Sequence, residues 1–173
     1  MAIQESLGKV LNDRRYRLNF SHCKHLPAKP GNYTEYPETM SAELVEVMRA
    51  RGVEKLYSHQ SEAIRQIQQG KNVAIVTPTA SGKTLCYNLP VIDRLAREPE
   101  SRALYLFPTK ALSQDQLNEL YSITQAMERD LKVYTFDGDT PQRARKAIRS
   151  AGHIVVTNPD MLHTGILPDR KST

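Results

Sequence analysis

The chain has 173 residues, 39% hydrophobic and 25% charged, enough for one domain with a packed core. No apolar run reaches membrane-spanning length, and residues 1–11 lack the apolar centre of a secretory signal, so a cytoplasmic protein with no membrane partner is expected. The net charge of +5 suits a polyanionic partner, and two cysteines, Cys23 and Cys86, give no disulfide framework and fit a reducing cytosol.

Ile3, Leu7, Val10 and Leu11 recur at helical spacing and predict a short amphipathic helix. Residues 20–40 lose periodicity around Pro27, Pro30, Gly31 and Pro37, so 1–40 reads as a helix plus an extended connector. A folded domain is expected over 41–173. Leu44, Val45 and Met48 mark a helix ending at Gly52, and Ser58 is placed to cap another that ends at Gly70.

Strands and helices then alternate. Strands are predicted over 73–76, 103–107, 133–136 and 154–156. Helices are predicted over 83–97, 110–127 and 141–150, with a short one near 160–162. Alternation of this kind predicts an α/β fold, a parallel sheet with helices on both faces. The strands are short and almost wholly apolar, as doubly covered strands are. Pro90 inside the long helix is expected to kink it or interrupt its bonding.

In such a sheet the loops after the strand C-termini share one edge, where ligands bind. The first is Thr77-Pro-Thr-Ala-Ser-Gly-Lys-Thr84, between an apolar strand and a helix. Its N–H groups and the helix N-terminus converge where anionic oxygens are favoured. Lys83 would reach the β- and γ-phosphates of ATP, and Thr84 would hand a hydroxyl to Mg²⁺. Thr77 stands where a P-loop has its first glycine.

The other three loops carry a recognisable set. The P-loop resembles motif I of superfamily 2 helicases. Pro108-Thr-Lys-Ala-Leu112 resembles motif Ia, and Thr157-Asn-Pro-Asp-Met-Leu162 resembles motif Ib. Asp137-Gly-Asp139 sits where these proteins carry a glycine-containing nucleic-acid loop. Leu56-Tyr-Ser-His-Gln60 resembles the adenine-reading Q motif, with Gln60 lying 23 residues before Lys83, a spacing typical of that family. The longer strings 78–90 and 152–162 resemble the bacterial mitomycin repair factor A group of DNA helicases and its fungal RecQ-like relatives. The resemblance runs from about Leu56 to the end of the chain.

The resemblance implies a RecA-like P-loop NTPase three-layer sandwich with a mostly parallel sheet. It implies an ATP-dependent DNA helicase moving 3′ to 5′ in DNA repair. ATP and Mg²⁺ are its cofactors, and its partner is single-stranded DNA in preference to RNA. Lys83 and Thr84 become the catalytic pair, with Thr84 meeting the metal through the nucleotide. Tyr57, Gln60, Thr77, Pro78, Thr79, Ala80, Ser81 and Gly82 complete the nucleotide site. Thr109, Lys110, Gly138, Asp139, Thr157, Asn158 and Asp160 become contacts to the nucleic-acid backbone. Motif II, the second RecA-like domain and the family's C-terminal region do not occur in the 173 residues. A fragment covering most of a first motor domain, unable to hydrolyse ATP alone, is therefore expected.

Two other readings stand beside this one: a small-molecule P-loop kinase or nucleotide-binding regulator, and a non-hydrolysing nucleic-acid-binding remnant. His22-Cys-Lys-His25 offers three zinc ligands where a tetrahedral site needs four. Cys86, His153 and His163 read as structural. Basic residues crowd two segments, Arg14 to Lys29 and Arg143 to Arg149, and a solvated helix face explains either equally well.

Overall fold

The computed structural model describes residues 3–22, 24, 26–28 and 30–167. The chain divides into two compact units, 1–31 and 32–173. In the first, α1 (Ile3–Asn12) leads into a 3₁₀ turn, Arg17–Asn19. Arg15 is committed to an ion pair with Asp13. Cys23, His25 and Lys29 lie outside the described residues, as does the polar end of the chain. No group of three or more potential metal ligands occurs among the described residues.

The second unit begins earlier than residue 41. Tyr33–Thr34 forms β1, which pairs antiparallel with β2 (Leu56–Tyr57), Tyr33 opposite Tyr57. Two-residue strands carry too little pattern to be read from sequence. Between them runs α2 (Ala42–Ala50), whose N-cap Ser41 accepts from the Leu44 N–H. The Ser41 N–H in turn donates to the buried Asp93 carboxylate at 2.8 Å.

Helix α3 (Ser58–Gln68) has Tyr57, not Ser58, at its cap position. α4 (Lys83–Arg97) packs against it and runs through Pro90 as one helix. Then follow β3 (Ala103–Leu106), α5 (Lys110–Ala126), β4 (Val133–Thr135), α6 (Gln142–Ala151), β5 (Ile154–Thr157) and α7 (Pro159–Met161). One π-type turn, Leu162–Ile166, ends the described chain.

The last three strands form a parallel sheet in the order β3-β5-β4. Leu106 lies opposite Thr157, and Thr135 opposite Val156. Tyr105, Ile154 and Val156 face the core with Leu89, Ile92 and Leu95 of α4 and Leu120 and Ile123 of α5. Each such fully buried side chain contributes on the order of 2 kcal/mol. The second sheet face is covered less. Helix α6 reaches it at Phe136, while Leu104, Leu106 and Tyr134 remain exposed.

The strand expected over 73–76 does not form. These residues run without a ladder partner among the described residues, and Val76 is 94% exposed. Apolar content alone does not make a strand. Its backbone N–H and C=O groups need a neighbour, and no described strand pairs with this segment.

Tyr36 closes the bottom of this unit by donating to the Val53 carbonyl at 2.7 Å. Burial pushes its phenol up to about 12. The unfolded chain ionises near ~10, so this contribution is whole below that pH and is lost as pH rises through the folded value. Urea unfolding followed from neutral to strongly alkaline pH should show that loss, and Tyr36→Phe should make it smaller. An alkaline loss of the same size in the variant would mean that Tyr36 does not carry it.

Candidate nucleotide and nucleic-acid site

The turn before α4 has the construction of an anion cradle. Gly82 caps the helix in the left-handed region at φ 73°, and Ala80 adopts φ 60°. Together they turn the backbone so that none of the N–H groups of Thr79, Ala80, Ser81, Gly82, Lys83 and Thr84 has an acceptor among the described residues. Free N–H groups at the N-terminus of a 15-residue helix form a partial positive charge. The Lys83 ammonium lies inside the same loop, donating to the carbonyls of Thr77 at 2.8 Å and Pro78 at 2.7 Å. The Thr77 and Ser81 hydroxyls meet at 2.6 Å and close the loop at its base. The Thr84 hydroxyl has no partner among the described residues.

Gln60 joins this loop to the preceding element. It is 2% exposed, and both ends of its amide are used. Oε1 accepts from the Tyr57 N–H and Nε2 donates to the Gly82 carbonyl, each at 2.8 Å. A Cβ at residue 82 would stand 2.5 Å from Gln60 Nε2, so the close approach requires glycine as much as the backbone angle does. His59 adds a second tie through Nε2 to the Ser81 carbonyl at 3.0 Å.

Beside the loop the rings of Tyr33, Tyr57 and His59 stack in series, with centroids 4.8 and 5.7 Å apart. Tyr33, Tyr57, Gln60, Gly82 and Leu85 line a cleft of about 520 Å³. Sequence reading pointed to Tyr57 and missed Tyr33 and His59. Tyr33 enters through the β1–β2 pair, and no sequence spacing links it to Gln60. A second cleft, of about 730 Å³, brings Thr84 and Leu85 together with Asp115 and Gln116 of α5. The start of α4 and the first turns of α5 therefore share one side of the unit.

The three parallel strands carry the other turns on a common edge. Phe107 donates from its N–H to the Thr157 carbonyl, and Phe136 to that of Val156, so the ladder continues past the strand ends. At the first turn Thr109 caps α5, its hydroxyl accepting from the Leu112 N–H while its own proton stays available. The Lys110 ammonium pairs with the Asp139 carboxylate, which raises the lysine pKa. This pair joins the first turn to the second.

The second turn is held by its own side chains. Asp137 N donates to the Thr140 hydroxyl at 2.9 Å, and Asp139 N to the Asp137 carboxylate at 3.0 Å. Thr140 N donates to the Asp137 carbonyl. Gly138 N–H is the one amide of this turn without an acceptor among the described residues, and a Cβ at residue 138 would meet nothing within 4 Å.

At the third turn one expectation fails. Thr157 is 2% exposed, and its hydroxyl donates to the Phe136 carbonyl, so it ties β5 to β4 and offers nothing to a ligand. With Val156 facing the core, the strand period sets the Thr157 side chain on the other face of the sheet, where its hydroxyl is taken up by the Phe136 carbonyl. Asn158 caps α7 by accepting from the Met161 N–H at 2.8 Å. Asp160 is exposed, with a free N–H beside a carboxylate of the wrong sign for a phosphate.

A model of the DEAD/DEAH box helicase family matches residues 57–173. The uncharacterized ATP-dependent helicase YprA of Bacillus subtilis is 45% identical over 165 residues, covering 95% of this chain and 22% of that protein. The ATP-dependent helicase HRQ1 of Saccharomyces cerevisiae is 39% identical over 170 residues, covering 96% of this chain and 15% of its own length. Among solved structures, the DUF1998 helicase MrfA bound to DNA and AMPPNP superposes with a TM-score of 0.86 at 42% identity, over 99% of this chain and 24% of that one. The chain thus spans less than a quarter of the length of these relatives. Its α/β fold is RecA-like, and the chain belongs to the DEAD/DEAH box helicase family.

Proposed function

We propose that this chain is the nucleotide-binding portion of an ATP-dependent DNA helicase, holding ATP at the 77–84 loop and a single DNA strand along the neighbouring turns. The observation that carries the reading is the cradle of free N–H groups over residues 79–84, with the Lys83 ammonium inside it. Each donor would meet a phosphate oxygen without first breaking a bond to an acceptor of the described chain. To approach phosphate, Lys83 would exchange two carbonyl partners for anionic oxygens, a stronger charge-assisted bond. The stacked rings of Tyr33 and Tyr57 offer a flat apolar wall for adenine. Gln60 would bind the base only by giving up a backbone partner, so its first role is to hold the loop.

The free Thr84 hydroxyl suits Mg²⁺, which when bound neutralises phosphate charge. For the DNA backbone the available donors are the Gly138 N–H, the Thr109 hydroxyl proton and the N–H groups at the start of α5. These are neutral and carry no base information, so strand binding without sequence preference follows. MrfA is seen bound to DNA and AMPPNP, which supports both halves of the proposal. Movement 3′ to 5′, a role in repair and a cytoplasmic location belong to the same proposal for the whole protein.

Lys83→Ala should weaken ATP binding at least ~10-fold, the worth of one charge-assisted contact, by calorimetric titration. Unchanged affinity would remove the P-loop from the nucleotide site. Gly82→Ala should cost about 1–2 kcal/mol in backbone strain and displace Gln60, lowering both melting temperature and ATP affinity. Gly138→Val should change stability little, because a Cβ there meets nothing within 4 Å, yet weaken binding of a labelled oligothymidylate. Equal binding by the variant would take the 137–140 turn out of the DNA track.

A further inference from the structure

The basic residues of α6 sort into two pairs. Arg143 and Lys146 are exposed and make no contact to another side chain among the described residues. Arg145 and Arg149, one helical turn apart, face the protein. Their guanidinium carbons stand 5.5 and 5.6 Å from the centre of the same ring, that of Phe136. Phe136 is wholly buried and sits at the end of β4, directly before the 137–140 turn.

Each guanidinium also holds a backbone carbonyl. Arg145 Nε donates to the Thr140 carbonyl at 3.0 Å, and its Nη2 to that of Asp137 at 3.5 Å. These carbonyls bracket Gly138, the residue with the free N–H. Arg149 Nη2 donates to the Gly165 carbonyl at 2.8 Å, in the π-type turn that follows α7. Gly165 lies close to Phe136, since a Cβ there would stand 3.3 Å from the ring. The Phe136 carbonyl takes the Thr157 hydroxyl. One aromatic ring and two guanidinium groups thus tie the 137–140 turn to the π-type turn after α7.

We propose that Arg145 is a positioning residue for polynucleotide binding. Its planar fork spans the two carbonyls of the 137–140 turn and fixes the direction of the Gly138 N–H, while the Phe136 ring supports the fork by a cation–π contact. Arg145 itself meets no phosphate. This rests on the reading of that turn as part of the DNA track. Lysine cannot reproduce the arrangement, because a single ammonium lacks the planar fork that reaches both carbonyls.

The test compares the unaltered protein with Arg145→Lys, Arg145→Met and Phe136→Leu, using a fluorescein-labelled oligothymidylate across a salt series. Arg145→Lys, which keeps the charge, should bind about tenfold more weakly, the net worth of one hydrogen bond to a charged group. Arg145→Met and Phe136→Leu should lose a similar factor. The slope of log affinity against log salt should be the same in all four. Without DNA, amide hydrogen exchange at Asp139 and Thr140 should quicken in each variant while that of Ile154 and Val156 does not. Full-strength binding by Arg145→Lys with unchanged exchange overturns the proposal alone. A slope reduced by about one in Arg145→Met and restored in Arg145→Lys also overturns it, since that marks a direct phosphate contact. No binding by the unaltered protein overturns the DNA reading, and this proposal with it.

Discussion

The amide of Gln60 is the interaction on which the nucleotide side of this domain depends. It lies between the N-termini of two helices and satisfies one backbone group on each, the Tyr57 N–H of α3 and the Gly82 carbonyl of α4. A buried amide that lost either partner would cost about 1–3 kcal/mol. The arrangement is possible only because residue 82 lacks a side chain and tolerates a left-handed backbone. These two requirements fall on one glycine, at the point where the loop enters α4. Helices α3 and α4 pack along their length, so the loop stands on a rigid pair.

The nucleic-acid side depends on a different constraint. Parallel pairing of β3, β5 and β4 delivers three turns to one edge, but a strand end does not by itself fix the conformation of the turn that follows. Extra ties supply that. Thr109 and Asn158 cap the helices that follow them, Thr140 and Asp137 bond to each other, and the Lys110–Asp139 pair spans two turns. That ion pair is exposed and so adds little to stability. The buried tie from the Thr157 hydroxyl to the Phe136 carbonyl does more to fix the turns, because water does not compete for it.

Much of this was legible in the sequence. The helix over 83–97 matches its prediction residue for residue, because a glycine cap precedes it and apolar positions recur along it. The helices from Lys110 and Gln142 start within a residue of expectation, behind Thr109 and Pro141. Residues 73–76 were misread because a strand is a relation between two segments, and sequence shows only one of them. Thr157 was misassigned because a motif names a residue without saying which side of a strand it occupies. Tyr33 went unseen because its role comes from a pairing across 24 residues.

The charge of the molecule bears on how it would meet a polyanion. A net charge of +5 invites the idea of a basic groove. Yet at the turns themselves Lys110 is matched by Asp139, and Arg145 and Arg149 lie over the Phe136 ring and hold backbone carbonyls. What remains facing outward there is a set of N–H dipoles and one hydroxyl proton. Contacts of that kind displace few counterions, so under the proposed function they would grip a phosphate chain with weak dependence on salt. They are also indifferent to base identity. A motor that must pass along any sequence is served by such contacts, since each can be released and remade at the next phosphate without crossing a deep electrostatic well.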